Sequence, residues 1–337
     1  MALIKPSDRF FIAGARGMAG SAIVRALKRR GYGDPKQGGA MLTPTREELN
    51  LLDSIGVEQW VNKNRPDVVV LAAATVGGIE ANRSRPADFL IENIRIQTQV
   101  IEAAWRAKTR RLLFLGSSCI YPKLAEQPIR EESLLTGELE PTNSWYAIAK
   151  IAGIKMCEAL RLQYNFDAIT LMPTNLYGPG DNYNIRNSHV LPALIRKFDE
   201  AKEQKLEMVT CWGTGTPLRE FLHVDDLGEA CVFALEEWSA LGENAPKDDK
   251  GIALTYLNVG TGCDISIREL AERTAEAVGY EGKILWDNSK PDGTPKKQLN
   301  VKRLSELGWS YRIPLDKGLE LTVKDYREAR KDGKLRE

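Results

Sequence analysis

The sequence is poor in histidine and cysteine, and it carries no excess of either charge. Its 337 residues include two histidines and five cysteines, and 47 basic residues balance 46 acidic ones for a net charge of +1. This balance gives no electrostatic case for a nucleic-acid or membrane partner. The cysteines are odd in number, widely spaced and free of CxxC pairs, which argues against a disulfide framework or a zinc knuckle.

Long apolar runs are also absent. No run reaches the ~18 residues that a membrane span requires, and the opening stretch MALIKPSDRFFIAGARG lacks the long apolar core of a signal peptide. We therefore expect a cytoplasmic protein. The length exceeds what one minimal core requires, so we expect one large domain or two lobes that share a cleft.

Apolar strand patterns alternate with helical patterns along the first half of the chain. Helical periodicity covers residues 86–108 and 145–164, and several strand patterns are apolar almost throughout. The strand patterns occupy residues 9–13, 39–43, 67–74, 111–118 and 168–178. This alternation is typical of a parallel sheet with helices on both faces, so we expect an α/β, doubly wound fold of the Rossmann type.

The pattern loosens after residue 178. We expect a Rossmann domain over residues 1–178 and a smaller α/β lobe over residues 179–325, lying on the carboxyl edge of the sheet. Some later segments of that lobe are expected to return to the Rossmann sheet. Residues 326–337 are highly charged, and we expect this tail to fray.

A glycine-rich turn lies between the first strand and the first helix. Gly14, Gly17 and Gly20 are spaced so that the chain can turn tightly, approach a pyrophosphate with its backbone and pack helix on strand. A lone glycine triplet is weak evidence, but this one has the strand–turn–helix context that the mechanism requires. The turn therefore predicts a dinucleotide site.

The choice between NAD and NADP depends on the end of the second strand. An acid there would bind the ribose 2′-hydroxyl, whereas a cation would accept a 2′-phosphate. Arg46 supplies a cation near that end, and Arg16 in the glycine turn is a second candidate, although Glu47 and Glu48 follow closely. A solvated loop arginine is the alternative interpretation, and we favour NADP.

Tyr146 and Lys150 form a YxxxK pair on the helical pattern 145–164. The i,i+4 spacing brings phenol and ammonium to one helical face. We expect the ammonium to lower the pKa of the tyrosine from its usual value near ~10, so that the phenol can exchange a proton with a carbonyl oxygen. An ordinary amphipathic pair is the alternative, but the strand-end serine Ser117 precedes the pair and favours catalysis.

Together, the glycine turn, Ser117 and YxxxK resemble the extended short-chain dehydrogenase/reductases. Longer stretches are similar to the GDP-L-fucose synthases within that family, from about residue 9 to about residue 325. These stretches include GARGMAGSAIVRAL, GSSCIYPK, LEPTNSWYAIAKIAGIKMCEA, MPTNLYGPGDN, HVLPALIRKF, WGTGTPLREFLHVDD and KPDGTPKK. One departure is Ala15, where family members often carry histidine, and its side chain is not part of the phosphate cradle.

The resemblance implies NADPH-dependent 3,5-epimerisation and 4-keto reduction of a GDP-4-keto-6-deoxy sugar. It assigns Tyr146 and Ser117 to the ketone oxygen, Cys119 to the base and His189 to the acid of epimerisation. Taken alone, Cys119 would be a small buried residue, and His189 would lie at a helix start capped by Asn187 or Ser188. His223 is expected to be structural, with a hydrogen bond to a carboxylate.

The resemblance also implies the binding residues. The expected dinucleotide site comprises Gly14, Ala15, Arg16, Gly17, Met18, Ala19, Gly20, Arg46, Asp53, Ala72, Ala73, Ala74, Leu115, Gly116, Ser117, Ser118, Lys150, Pro173, Thr174, Asn175, Leu176 and His189. The expected GDP-sugar site comprises Asn175, Lys197, Trp212, Arg219, Asp292 and Lys297. Asp53 could instead cap a helix, and the family implies no metal.

Two other functions remain as alternatives. A nucleotide-sugar 4-epimerase or 4,6-dehydratase shares the fold, but it needs no cysteine base paired with a histidine acid. A dinucleotide-sensing module that has lost catalysis would have no need of Tyr146, Lys150 and Ser117. The resemblance further implies a homodimer in which residues 86–108 and 145–164 of both subunits form a four-helix contact.

Overall fold

The computed structural model describes residues 2–185, 188–290 and 292–336. Within these residues the strands are β1 (Arg9–Ala13), β2 (Ala40–Leu42), β3 (Val68–Leu71), β4 (Arg111–Leu115), β5 (Ala168–Pro173), β6 (Asn175–Tyr177), β7 (Met208–Trp212), β8 (Leu218–His223), β9 (Tyr256–Val259), β10 (Asp264–Ser266), β11 (Lys283–Asp287) and β12 (Lys296–Lys297). The helices are α1 (Met18–Arg29), α2 (Ser54–Asn64), α3 (Ile79–Ser84), α4 (Pro86–Arg106), α5 (Ser144–Tyr164), α6 (Val190–Glu203), α7 (Val224–Glu237), α8 (Ile267–Val278), α9 (Lys302–Glu306) and α10 (Leu315–Lys331).

The centre of the molecule is a six-stranded sheet with the order β2-β1-β3-β4-β5-β9. All of its neighbouring strands pair in parallel, and β3 and β4 are buried at every residue. The strand order runs outward in both directions from β1 and β3. Because crossover connections are right-handed, α1 lies on one face and α4 and α5 lie on the other. The expected doubly wound α/β fold is confirmed.

A smaller lobe follows the fifth strand. Its four-stranded sheet contains β6, β8, β10 and β12, and β7 pairs with β11 beside it. A second apolar core fills this lobe, with Phe198, Leu270 and Leu319 at its centre. The lobe sheet begins at β6, before residue 178, and the chain then returns to the central sheet as β9.

The two lobes are joined at the buried carboxylate of Glu220 on β8. One carboxylate oxygen accepts the backbone N–H groups of Thr261 at 2.5 Å and Gly262 at 2.8 Å, in the loop that leaves β9. The other oxygen accepts the N–H of Leu299 at 2.8 Å. Burial raises the pKa of Glu220 and the backbone hydrogen bonds counteract that rise, so this one side chain anchors three chain segments.

The C-terminal segment differs from the expected frayed tail. Residues 326–331 continue α10, and Tyr326 is buried in the second core with its ring centroid 4.7 Å from that of Tyr183. The carbonyl of Arg336 accepts the backbone N–H of Tyr183 at 2.9 Å. The charge pattern was misleading because the apolar face of α10 supplies the packing.

None of the helices among the described residues is long and apolar enough to cross a membrane.

Gly20→Ala should destabilise the fold, because a Cβ at this position would lie 2.1 Å from the carbonyl oxygen of Gly14. Alanine gains about 1 kcal/mol of helix propensity, but overpacking against backbone costs about 1–3 kcal/mol or more. We expect urea denaturation to show a net loss in the free energy of unfolding. Gly17→Ala is the matched control, with φ −75° and a closest contact of 3.4 Å, and it should unfold like the wild type. Equal effects of the two substitutions would contradict this view of the turn.

Candidate active site

The carboxyl ends of the central strands open into one large cleft beneath the C-terminal lobe. Its volume is about 2020 Å³, above the roughly 300–1,000 Å³ of common ligand pockets, so it has room for two large ligands. Residues that follow β1, β3, β4 and β5 line one side, and the C-terminal lobe lines the other. All of the expected site residues except Asp53 line this cleft.

The glycine turn has the form that a pyrophosphate requires. Gly14 has φ +90°, and a Cβ there would lie 2.7 Å from the backbone nitrogen of Ala73. Gly17 is the N-cap of α1 and offers no side-chain hydrogen bond to the first turn, which also contains no acidic residue. The N–H groups that begin α1 are therefore available to an anion, and the residues present fit a bound dinucleotide.

Two arginines lie near the glycine turn and the loop that follows β2. Arg16 and Arg46 are exposed and line the cleft. The neighbouring acids hydrogen-bond with Thr45, whose N–H donates to Glu48 at 2.7 Å and whose hydroxyl donates to Glu47 at 3.1 Å. The carboxylates of Glu47 and Glu48 are therefore directed to Thr45.

Asp53 does not join the cleft, contrary to the expectation from the resemblance. It is the N-cap residue of α2, and its carboxylate accepts the backbone N–H of Gly56 at 3.1 Å. The alternative helix-capping interpretation is the one that this geometry supports.

Lys150 lies in the floor of the cleft, and it has no acidic partner among the residues that the structure describes. Its ammonium donates one hydrogen bond, 2.8 Å long, to the carbonyl of Leu115 at the end of β4, and it lies 4.7 Å from the ring centroid of Phe114. Burial lowers the pKa of Lys150 to about 7. An ammonium has three donors, so the remaining two can bind the ribose hydroxyls of a dinucleotide.

Tyr146 lies one helical turn before Lys150 and lines the cleft together with Ser117. Burial raises the pKa of this phenol, negative charge on Cys119 raises it further, and the nearby Ser117 hydroxyl opposes the rise. The expectation that Lys150 lowers the tyrosine pKa is therefore wrong for this structure. The lysine donates its hydrogen bond to Leu115 instead, and its own charge is weakened by burial.

Cys119 lies in a short 3-10 turn just after the end of β4. The strand ends at Leu115, earlier than expected, and the hydroxyl of Ser117 accepts the N–H of Cys119 at 3.2 Å. The thiol is half-buried at the cleft wall. The ammonium of Lys297 lies 3.4 Å from its sulfur.

His189 immediately precedes α6 and its side chain is open to the cleft. It is itself the N-cap residue and makes no side-chain cap, while Asn187 lies outside the described residues. Surrounding protein atoms lower the pKa of the imidazole, and the charge of Lys297 lowers it further.

His223 is the second histidine, and it caps α7, where its Nδ1 accepts the N–H of Asp225 at 3.2 Å. It has a structural position, but its observed partner is a backbone group and not a carboxylate.

The expected GDP-sugar residues form the opposite wall of the cleft. Arg219 on β8 lies beside Lys297 on β12, and Lys197 on α6 donates to the carbonyl of Thr210 at 2.7 Å. Trp212 ends β7 with 70% of its surface exposed. Asp292 accepts the N–H and the hydroxyl of Thr214 at 2.8 and 2.9 Å, which fixes the loop after β7.

Sequence reasoning missed three polar residues of this cleft. Asn143, just before α5, lines it with a buried side-chain oxygen that has no hydrogen-bond partner in the described part of the chain. Asp181 is buried, which raises its pKa to about 7, and Arg336 reaches the same loop from the C-terminus. The stretches PTNSWY and GPGDN contain Asn143 and Asp181, whereas no local sequence pattern indicates Arg336.

Among the residues described, no group of three or more His, Cys, Asp or Glu side chains could hold a metal.

The sequence matches the NAD dependent epimerase/dehydratase family over residues 10–245. It is 52% identical to GDP-L-fucose synthase 1 of Arabidopsis thaliana over 320 residues, which cover 95% of this chain and 93% of the relative. It is also 52% identical to the GDP-L-fucose synthase of Escherichia coli (strain K12) over 321 residues, 95% of this chain and 97% of the relative. This chain belongs to the GDP-L-fucose synthase family. The resemblance drawn from the motifs is confirmed.

Solved structures of reductases share the fold over nearly the whole chain. A GDP-6-OMe-4-keto-L-xylo-heptose reductase from C. jejuni is 33% identical, with a TM-score of 0.87 over 96% of this chain and 99% of that one. A GDP-mannoheptose C4 reductase from Campylobacter jejuni, with NADP bound, is 32% identical, with a TM-score of 0.82 over the same shares. The family and these neighbours support a nicotinamide cofactor for this chain.

Replacing Lys150 by Met should change the pH dependence of stability. The folded-state pKa of about 7 lies below the unfolded value of about 10.5, so stability rises with pH between those values and is lost as the pH falls. Relative to the wild type, Lys150→Met should gain about 3 kcal/mol more at pH 6.5 than at pH 9.5 in urea unfolding. Lys155→Met, on an exposed face of the same helix, should show no such difference. If Lys150→Met changed the free energy of unfolding equally at both pH values, the lowered pKa of Lys150 would be refuted.

Proposed function

We propose that this protein converts GDP-4-keto-6-deoxy-D-mannose to GDP-L-fucose, by two epimerisations and a reduction that uses NADPH. The observation that carries the proposal is the meeting of two residue sets in one cleft. Ser117, Tyr146 and Lys150 suit a carbonyl reductase, and Cys119 with His189 suits an epimerase. The 52% identity to GDP-L-fucose synthases from a plant and a bacterium agrees with both sets.

The substrate ketone links the three steps. Its oxygen would receive hydrogen bonds from the Ser117 hydroxyl and the Tyr146 phenol, which both line the cleft. These donors stabilise negative charge on the oxygen, whether it arises from an enolate or from hydride addition. Both ring carbons next to the ketone become acidic for the same reason.

Epimerisation needs a base on one face of the sugar and an acid on the other. The Cys119 thiolate takes the proton of the carbon beside the ketone, and the C–H electron pair moves into an enolate. The His189 imidazolium then returns a proton to the opposite face, and the enolate electron pair forms the new C–H bond. A second round at the other neighbouring carbon completes the inversion, after both side chains have exchanged protons with water.

Reduction follows at the same carbonyl. A dinucleotide held by the glycine turn and Lys150 would supply the hydride for the carbonyl carbon, and the carbonyl π electrons would then lie on the oxygen. Tyr146 then gives its proton to that oxygen. Its raised pKa keeps the phenol protonated until charge develops on the substrate, which suits an acid. Lys150 holds the ribose of the dinucleotide through the two donors that its hydrogen bond with Leu115 leaves available.

The GDP part of the substrate would lie against the C-terminal lobe. Arg219 offers a planar fork for phosphate, and Lys197 and Lys297 add positive charge on the same wall. Trp212 provides an exposed ring for stacking on the base. Asp292 fixes the loop after Trp212 through Thr214, and Asn175 lines the junction between cofactor and sugar.

NADPH is proposed over NADH because two exposed cations, Arg16 in the glycine turn and Arg46 after β2, line the cleft. Neither forms an ion pair within the part of the chain that the structure describes, so both can meet a 2′-phosphate. The acids Glu47 and Glu48 bind Thr45 instead. The NADP found in the related C. jejuni reductase agrees with this choice.

The decisive assay follows NADPH oxidation with GDP-4-keto-6-deoxy-D-mannose. We expect one NADPH consumed for each GDP-L-fucose formed, with NADH giving a lower kcat/KM. In D₂O, deuterium should enter both carbons next to the ketone. Folded protein that oxidises no NADPH with this substrate would overturn the proposal.

Cys119→Ser separates the two activities. A serine hydroxyl is a much weaker base than a thiolate, so deuterium incorporation should fall about 10²–10⁴-fold, the usual contribution of general acid–base catalysis. Cys263→Ser, at an exposed cysteine outside the cleft, is the matched control and should exchange like the wild type. Undiminished exchange in Cys119→Ser would refute Cys119 as the base.

We also propose a homodimer through α4 and α5, which pack against each other. Their outer faces carry exposed apolar side chains at helical spacing, namely Ile91, Trp145, Ile148, Ala152, Ala159 and Leu162. All of these residues except Ile91 lie on α5, where Lys155 interrupts the apolar stripe. An exposed stripe of this length is typical of a surface that pairs with a second copy.

Ile91→Glu with Leu162→Glu should weaken this dimer. A carboxylate buried without a partner is costly, so the dimer dissociation constant should rise at least about tenfold in sedimentation equilibrium. Leu241→Glu, at a residue that is 69% exposed outside these helices, is the control. A wild-type monomer at micromolar concentration, or a dimer indifferent to the double substitution, would exclude this interface.

A further inference from the structure

Lys297 makes a contact that substrate binding alone does not require. Its ammonium lies 3.4 Å from the sulfur of Cys119, although 178 residues separate the two in sequence. Lys297 ends β12, which pairs in parallel with β8 so that Lys297 lies opposite Arg219. The neighbouring Lys296 forms an ion pair with Asp264 at 3.3 Å. One of two successive lysines is therefore directed to the thiol.

The contact is held from the lysine side by buried hydrogen bonds. The residues after Lys297 are fixed at two successive backbone N–H groups. Gln298 donates to the side chain of Gln127 at 2.9 Å, and Leu299 donates to the Glu220 carboxylate at 2.8 Å. The strand end that carries the ammonium therefore cannot move without breaking the junction between the lobes.

The cysteine side is fixed as well. Its N–H donates to Ser117, and two residues later the buried Tyr121 hydroxyl donates to the Asn258 side chain at 2.7 Å. Asn258 in turn donates to the carbonyls of Ile129 and Asn300 at 3.0 and 3.2 Å. The turn of Cys119 and the strand of Lys297 thus share one buried network, and the pair is preorganised.

The charged and titratable groups around the sulfur come from four elements. Lys297 is the cation in hydrogen-bond contact. Arg219 on β8 also interacts with the charge of Cys119, but it is shared with Asp292 and donates to its own neighbouring carbonyl. Tyr146 on α5 is close enough for the charge of Cys119 to raise the pKa of its phenol, and the charge of Lys297 acts on His189, which immediately precedes α6.

We propose that Lys297 is the positioning residue that holds Cys119 as a thiolate, and that it thereby serves epimerisation in particular. An ammonium in contact with sulfur stabilises negative charge there, and the thiolate is the form that accepts a proton from carbon. Only the part of this inference that concerns epimerisation rests on the proposed function; the thiolate itself can be tested without substrate.

The same cation acts on the proposed acid. The charge of Lys297 lowers the pKa of His189, which makes its imidazolium a stronger proton donor. The Lys297 ammonium therefore favours the charged form of the sulfur, which takes up a proton, and also favours proton release by the imidazole. Both effects act in the direction that epimerisation needs.

The test measures the alkylation rate of Cys119 by iodoacetamide against pH, resolved by mass spectrometry of its peptide. Lys297→Met should react about tenfold or more slowly at pH 7, since losing a unit charge at this distance has about that effect even with the full screening of bulk water. The midpoint of the profile should move to higher pH. Lys297→Arg should retain most of the wild-type reactivity, because it keeps the cation.

Lys296→Met is the matched control and should give the wild-type profile. A Lys297→Met profile identical to the wild type would overturn the inference, as would an equal loss in Lys297→Arg and Lys297→Met. Deuterium incorporation from D₂O into the GDP-sugar should slow in parallel with alkylation. A shifted alkylation profile in a protein that does not turn over the GDP-sugar would uphold the thiolate assignment and refute the proposed function.

Discussion

The carboxylate of Glu220 is the constraint on which the cleft depends. It binds backbone N–H groups of the loop after β9 and of Leu299, so the central sheet, β8 and the strand of Lys297 meet at one buried side chain. A buried carboxylate is costly unless its oxygens are satisfied, and here several N–H groups satisfy them. Arg219 and Lys297 are each within two residues of this junction. The hydrogen bonds of Glu220 therefore also hold the backbone that carries these two cations.

The central fold could be predicted from sequence because its signals are local. Parallel strands buried on both faces, such as β3 and β4, read as continuous apolar runs, and the glycine turn marks the first crossover. The C-terminal lobe could not be predicted in detail. Its strands are short, β12 has two residues, and their pairing depends on contacts between distant segments. The end of α10 was misjudged because the buried Tyr326 outweighs the charges around it.

The candidate site was predictable where motif and position coincide. Tyr146, Lys150 and Ser117 lie in the cleft as expected, and so do Cys119 and His189. Electrostatics were harder to predict than location. Spacing places Lys150 near Tyr146 but does not reveal the carbonyl of Leu115 that takes its hydrogen bond. Likewise, nothing local indicates that Lys297 contacts sulfur, since that contact is made by strand pairing across 178 residues.

Helix α5 has no face without a role. One side is buried against the sheet at Ala147, Ile151 and Ile154, and Tyr146 and Lys150 open from its first turns into the cleft. The remaining side carries the apolar stripe that ends at Leu162. In most amphipathic helices the solvent face is free to accumulate substitutions. Here a change on any side alters the core, the chemistry or the outer stripe, so this helix should vary least among naturally occurring versions of the protein.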